Sequence, residues 1–390
     1  MPAGCPSCPS WAEISLDAIE ANVRNIKSFI GEKCELIAVV KANAYGHGAV
    51  PVAQIALEAG ASRLAVARAS EGIRLRQAGI EAPILVMNYI PLAEIPQAVR
   101  YNLTPTLMTL EQARAFSQEA IKAGRNWPVH IKVDTGLGRF GLLPEEVMDF
   151  VKAVASLPGL TLEGFYTHFS VADELNQDST NYTFRQFEIF MGLSEKLERA
   201  GFHFPLRHVC NSAATMRFPS MHLEAVRVGI ILYGLRPSEE IEPPFLLSPA
   251  LSLKARVARV RVLPANFPVS YGRTYVTTRP TPVALVPVGY GDGYHRLISN
   301  RGFVLIKGVR VPIIGRICMD QFVVDVSGVD GVREEDEVVL IGEQGGERIS
   351  AEEVARWAET INYEVVASLT SRLPRVYIRR GEILAHHSDF

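Results

Sequence analysis

Between residues 36 and 228 the chain repeats one pattern: a short apolar run, a longer amphipathic segment, then a glycine. Residues 36–40 read as a buried strand. The following segment spaces Val52, Ile55, Ala56 and Ala59 as i, i+3, i+4, i+7, one face of a helix. Gly60 then supplies a left-handed C-terminal residue. The cycle recurs with strands at 64–67, 84–87, 103–107, 129–133, 160–168, 207–209 and Ala225–Val228. Helices at 70–78, from a Thr109/Gln112 capping box to Gly124, and up to Gly201 fall between them. Helices between successive strands require parallel pairing through right-handed crossovers. Eight such units predict a (β/α)8 TIM-like barrel. A doubly wound open sheet is the alternative, but it calls for G-x-G-x-x-G after its first strand. Residues 43–48, Asn-Ala-Tyr-Gly-His-Gly, do not make that pattern.

After Pro237 the helical rhythm stops. Runs at 257–263, 283–287, 304–306, Val309–Ile314, 322–326 and 337–341 are short and β-branched, with turn residues between them. They predict a mainly antiparallel β C-terminal domain. One helix is expected, over 351–362, with Ser350 and Glu353 capping its start. The expected division is a barrel over 11–240 and a β domain over 245–382, joined in the proline-rich 238–250. Residues 1–10 are read as a flexible tail.

The charge balance, 40 Lys and Arg against 42 Asp and Glu, gives no reason to expect a nucleic-acid or membrane partner. No apolar run approaches the roughly 18 residues of a spanning helix. The first ten residues lack the pattern of a secretory signal, so the expected location is cytoplasmic. Five scattered cysteines make no disulfide framework. Cys5 and Cys8 form a C-x-x-C, which without a second pair is weak evidence for zinc, and no metal is expected.

In a (β/α)8 barrel the reactive side chains lie at the C-terminal ends of strands. That rule selects Lys41 after the first strand, Lys132 and Asp134 after the fifth, and His168 after the sixth. It adds His208, Asn211 and Ser212 after the seventh, and Arg227 and Gly229 after the eighth. A lysine at the mouth of an apolar site has its ammonium desolvated and its pKa lowered. Such an amine forms Schiff bases with carbonyl compounds. Each residue also has an ordinary reading: a solvent-reaching lysine, satisfied core histidines, a serine capping a helix.

Residues 40–48, Val-Lys-Ala-Asn-Ala-Tyr-Gly-His-Gly, resemble the cofactor-lysine signature of alanine racemases. The resemblance extends through 211–215, 226–230, 269–275, 288–293, 315–321 and 361–365, and covers about 11–377. It implies an enzyme that interconverts L- and D-alanine with pyridoxal 5′-phosphate, supplying D-alanine for peptidoglycan. Lys41 matches the lysine that binds the cofactor and serves the D-face proton; Tyr271 matches the L-face base. Ser212, Gly229, Ile230, Tyr45 and Tyr363 match the phosphate side, and Arg227 the residue facing the pyridine nitrogen. His168 and His208 would share a hydrogen-bond chain with Arg227. Arg139 matches the arginine beside the substrate carboxylate. Lys132 matches a lysine that is often carbamylated, able to orient Arg139. Met319 and Asp320 border the site, and Tyr290 matches a tyrosine at its entrance. The family is a homodimer in which the partner subunit supplies the tyrosine base.

A racemase removes a proton from one face of Cα and returns one to the other, which calls for two bases. A phenol is a weak base near neutrality, so the tyrosine needs cations nearby, and a chain through His168 and Arg227 is expected to supply them. The ordinary reading of Tyr271 is a sheet aromatic. Three alternatives carry different signatures. A decarboxylase of this fold has a glycine-rich phosphate loop and a C-terminal catalytic cysteine, and neither is visible. A barrel-only pyridoxal-phosphate carrier lacks the β domain. A broad-specificity racemase shares the layout but usually carries a secretory signal.

Overall fold

The structure, a computed structural model, describes residues 8–387. It divides into two compact units. One comprises 19–44 and 49–248; the other comprises the chain up to Ala18, Tyr45–Gly48, and the chain from Pro249 onward.

The first unit is the eight-stranded barrel. Its strands are β1 (Glu35–Val39), β2 (Arg63–Val66), β3 (Ile84–Val86), β4 (Thr104–Leu107), β5 (Trp127–Lys132), β6 (Leu160–Tyr166), β7 (Leu206–His208) and β8 (Ala225–Val228). Each pairs in parallel with its predecessor up to β7, and β8 pairs with β1. Beyond β7 and within β8, the Arg227 amide donates to the Cys210 carbonyl at 2.9 Å and brings the last two strand segments together. Strands covered on both faces read as continuous apolar runs, and Leu36 to Val40, Leu64 to Val66 and Ile84 to Val86 are all buried. The expected helix after β1 is Ala49–Glu58, with Val52, Ile55 and Ala56 buried.

The Thr109 hydroxyl does cap its helix, accepting from the Gln112 amide at 3.2 Å. The Gln112 side chain instead donates to the Ile90 carbonyl at 3.0 Å, so the box is not reciprocal. Ser350 behaves alike. It accepts from Glu353 N–H at 3.1 Å, while the Glu353 carboxylate pairs with Arg310.

The second unit is mainly antiparallel. Its sheet runs in the order Arg259–Leu263, Thr281–Val286, Phe322–Asp325, Val309–Ile314, Phe303–Ile306, Glu337–Gln344, Leu251–Arg256, Ser10–Ser15, Arg375–Arg379, Glu382–His387. The one parallel pair along this path is Ser10–Ser15 with Arg375–Arg379. Sequence reasoning starts the barrel at residue 11 and ends a tail at residue 10. In the structure Ser10–Ser15 is a strand of this sheet, with Trp11, Ala12 and Ile14 buried. The rest of the proposed tail, residues 1–7 including Cys5, lies outside the described residues. The single helix expected over 351–362 is two helices, Ala351–Trp357 and Asn362–Ala367. Glu359, at φ 55°, turns the chain between them. Among the described residues no helix is long and apolar enough to cross a membrane.

Candidate active site

Lys41 lies two residues past the end of β1, and the backbone after it takes an uncommon path. Ala42, Asn43, Ala44 and Tyr45 all have φ between 50° and 53°, making a left-handed turn of four non-glycine residues. Such a turn costs about 1–2 kcal/mol per residue, because each Cβ crowds the next carbonyl. Local hydrogen bonds offset that cost. The Ala42 amide donates to Glu71 Oε1 at 2.7 Å, and the Asn43 side chain accepts from the Ala49 amide at 2.9 Å. Glu71 Oε2 accepts in turn from the amides of Ala67 and Arg68, at 2.8 and 3.0 Å. Sequence reasoning missed Glu71; its place as the third residue of the helix Ala69–Gln77 was the available signal.

The barrel brings its sequence-selected residues to one rim. Lys41 has its pKa lowered by burial first and by the Arg139 cation next, with Arg227 adding to this and Glu71 opposing. Lys132 is brought down to about 7, by burial, then by Arg227 and Arg139. Its ammonium lies 5.1 Å from the centre of the Phe140 ring and 5.7 Å from that of Tyr166. Asp134 organises the loop leading to Arg139. Its Oδ1 accepts from the amides of Gly136, Leu137 and Gly138, and its Oδ2 from Arg139 N–H, at 2.8–3.1 Å. Burial alone would raise its pKa, but those four bonds hold it below the usual carboxylate value.

Arg227, 3% exposed, is fixed from both sides. One terminal nitrogen donates to His208 Nδ1 at 2.6 Å. The other donates to His168 Nδ1 and to the Thr167 carbonyl, both at 3.0 Å. Tyr166 lies beneath, with its ring stacked on His208 at 4.6 Å and 12° and its centre 5.0 Å from the guanidinium carbon. Burial and then Arg227 depress both histidines well below the ordinary value. His168 and His208 are therefore neutral acceptors. The expectation that His168 would help supply positive charge is corrected: Arg227 is the cation of that chain.

Ser212 opens the helix Ser212–Arg217, but the cap is Asn211, whose side chain accepts from Ala214 N–H at 3.0 Å. The Ser212 hydroxyl instead accepts from the Gly229 amide at 3.0 Å, clasping the loops after β7 and β8. Ile230 continues that loop as the first residue of a short 3-10 turn.

The remaining sequence-selected residues belong to the second unit. Tyr45 and Tyr363 have ring centres 6.2 Å apart. The Tyr290 turn docks through amides on the Cys318 and Met319 carbonyls, at 3.1 and 2.9 Å. Asp320 accepts from Arg372 at 2.8 Å, and Arg372 also faces Asp292 at 3.4 Å. Ser270, at φ 60° and ψ −174°, precedes Tyr271 and donates to the Arg316 carbonyl at 2.5 Å. Tyr271 is 71% exposed, so the reading of it as a packed sheet aromatic fails.

Two family models match most of this chain: the alanine racemase N-terminal domain over residues 14–237 and the C-terminal domain over 250–377. The chain belongs to the alanine racemase family. An alanine racemase of Desulforamulus reducens is 50% identical over 372 residues, 95% of this chain and 99% of that one. An alanine racemase of Methanococcus maripaludis is 46% identical over 374 residues, with the same shares of each chain. The crystal structure of alanine racemase from Bacillus anthracis with bound L-Ala-P has a TM-score of 0.92 at 43% identity, covering 99% of both chains. That of Clostridium difficile 630 in complex with cycloserine scores 0.90 at 38% identity, covering 98% and 99%. The (β/α)8 barrel with an antiparallel β domain is thus the alanine racemase fold.

Proposed function

We propose that the protein interconverts L- and D-alanine with two bases, Lys41 on the D face of Cα and Tyr271 from a second copy of the chain on the L face. The observation that carries this reading is Lys41 at the C-terminal end of β1, its amine made easier to deprotonate by burial and by the neighbouring Arg139 and Arg227 cations.

The donor set fits pyridoxal 5′-phosphate. A lysine with a lowered pKa suits the aldehyde. The Ser212 hydroxyl accepts from the Gly229 amide and keeps its own proton to donate, so with Ile230 N–H it suits the phosphate. When bound, the cofactor supplies the electron sink that makes a Cα proton removable. With the cofactor bound, Arg227 would be the residue at the ring nitrogen. A guanidinium is a permanent donor, so it disfavours a proton on that nitrogen and limits the sink to what a proton transfer needs. Arg139 binds the substrate carboxylate through a fork suited to it, on the loop that Asp134 fixes. His168 accepts from Arg227 and helps hold the guanidinium in place. Lys132, partly neutral near pH 7, adds through Nζ to carbon dioxide, losing a proton and becoming an anionic carbamate that orients Arg139. Met319, Asp320 and Tyr290 line the entrance to the shared site. The assembly is a homodimer in the cytoplasm, and its D-alanine serves peptidoglycan.

The test is deuterium incorporation at Cα and racemisation, followed by chiral chromatography, for alanine, lysine and arginine. Rapid exchange of alanine alone is expected. Equal exchange of all three would replace the narrow reading with a broad-specificity racemase, and no exchange of any would overturn both.

A further inference from the structure

Below the rim, a chain of hydrogen bonds runs through the barrel unit away from Arg227. Its direction follows from the groups at its ends. Arg227 only donates, so His208 Nδ1 accepts its 2.6 Å bond and the single proton of neutral His208 lies on Nε2. That Nε2–H donates to His130 Nδ1 at 3.1 Å. The proton of His130 therefore lies on its own Nε2, which donates to Glu163 Oε2 at 3.1 Å. The other carboxylate oxygen of Glu163 accepts from Arg63 at 2.9 Å. Arg63 donates in turn to Glu35, at 2.8 Å. Every N–H between the rim and Glu163 points the same way.

The barrel is shaped around this chain. A strand interior is a costly place for a histidine, and His130 is 1% exposed. The pairing of β5 with β6 shifts register between Val129 and His130. Opposite, β6 carries Gly164, where a Cβ would lie 2.3 Å from His130 Nδ1. Any larger residue there would displace the ring. Arg63 of β2 reaches Glu163 of β6, four strands away, so that ion pair spans the barrel interior. Arg63 and Glu35 open their strands, at the end opposite the rim.

The chain cannot carry a proton to the rim, because a guanidinium does not give one up. What it can do is hold a tautomer. Two neutral histidines in series have two self-consistent arrangements. In one, His208 presents a lone pair to Arg227; in the other it presents an N–H, against a donor. The ionised carboxylate of Glu163, acceptor-only and anchored by Arg63, admits only the first.

We propose that Glu163, acting through His130 and His208, is a positioning residue that fixes the tautomer His208 presents to Arg227 and so holds the guanidinium at the rim. Its kinetic consequence rests on the racemase reading, but the tautomers can be observed without it.

The experiment uses the full chain labelled with [15N]histidine and free of cofactor, with long-range 1H–15N correlations assigned by His130→Gln and His208→Gln. In the wild type, His130 and His208 should both be neutral and carry the proton on Nε2 between about pH 6 and 8. In Glu163→Gln, the amide cannot accept from both His130 and Arg63, and both histidines should show averaged shifts of mixed tautomers. With cofactor added, kcat should fall about tenfold while KM stays within about twofold, as expected of a group that acts through another. Glu163→Asp keeps the charge and should retain the wild-type tautomers; it also carries the test if Glu163→Gln does not fold. Wild-type tautomers in Glu163→Gln, mixed tautomers in Glu163→Asp, or a wild-type His208 protonated on Nδ1 would each overturn the proposal. A wild type that shows the expected tautomers yet racemises nothing would overturn the racemase reading alone.

Discussion

The two units hold their reactive side chains in opposite ways. On the barrel rim, Arg227, His168, His208 and Lys132 are buried or half-buried and already joined by hydrogen bonds or ring contacts. In the β unit, Tyr271, Met319, Tyr290 and Ile361 are exposed. There the backbone around Tyr271, rather than its side chain, is constrained: Ser270, Gly272 and Arg273 all have positive φ. The rim is prepared to hold a fixed group with its charges tuned. The β unit leaves these side chains exposed and constrains the main chain that carries Tyr271. Preorganisation can thus reside in side-chain contacts or in the main chain that carries an exposed side chain, and mutations should distinguish the two.

The largest effect should come from the rim. Lys41→Ala removes the nucleophilic amine, and racemisation should drop by at least about 10³-fold. The visible absorbance given by a lysine-bound pyridoxal should vanish with it, and retention of that band would remove Lys41 from its role. Tyr271→Phe should separate the faces. Deuterium exchange into L-alanine should fall about 10²–10⁴-fold, the range for loss of a general base, while exchange into D-alanine persists. Equal losses would dissolve the distinction between the two clusters. Wild-type activity should also fall on dilution if the tyrosine comes from a second copy.

Lys132 tests how the rim handles charge. Its folded pKa, about 7, lies below the ordinary lysine value of 10.5. Between those values the unfolded chain holds a proton that the folded chain has released, so stability rises with pH across that window. In buffer free of carbon dioxide the slope should be up to about 1.4 kcal/mol per pH unit steeper than in Lys132→Gln. Denaturant titrations at several pH values would measure this, and parallel curves would place the amine outside the site. The smallest effect is expected from Asp134→Asn, which replaces one acceptor oxygen of a four-amide loop by a donor. About 1–2 kcal/mol of stability should be lost, with KM for alanine rising more than kcat falls.

Most of the barrel was legible because its signals are local. Apolar runs, helical spacing and glycine caps mark each unit, and the rule about strand ends then selects the rim. What escaped the sequence is pairing over long distance. The strand Ser10–Ser15 belongs beside Leu251–Arg256 and Arg375–Arg379, more than two hundred residues away, and nothing in its six residues names those partners. The contact of His168 with Arg227, which makes it a neutral acceptor, has no trace in the sequence. His130 was legible in principle, since a histidine between Val129 and Ile131 inside an apolar strand needs a partner. Its partners, His208 and Glu163, come from other strands.

The left-handed turn after Lys41 has a consequence for chirality. Four consecutive L-residues there adopt the backbone that their mirror images prefer, so the strain at each Cβ is a matter of hand and not of size. D-alanine placed at positions 42 and 44 by chemical ligation would follow the same path with its methyl group clear of the next carbonyl, relieving about 1–2 kcal/mol per site.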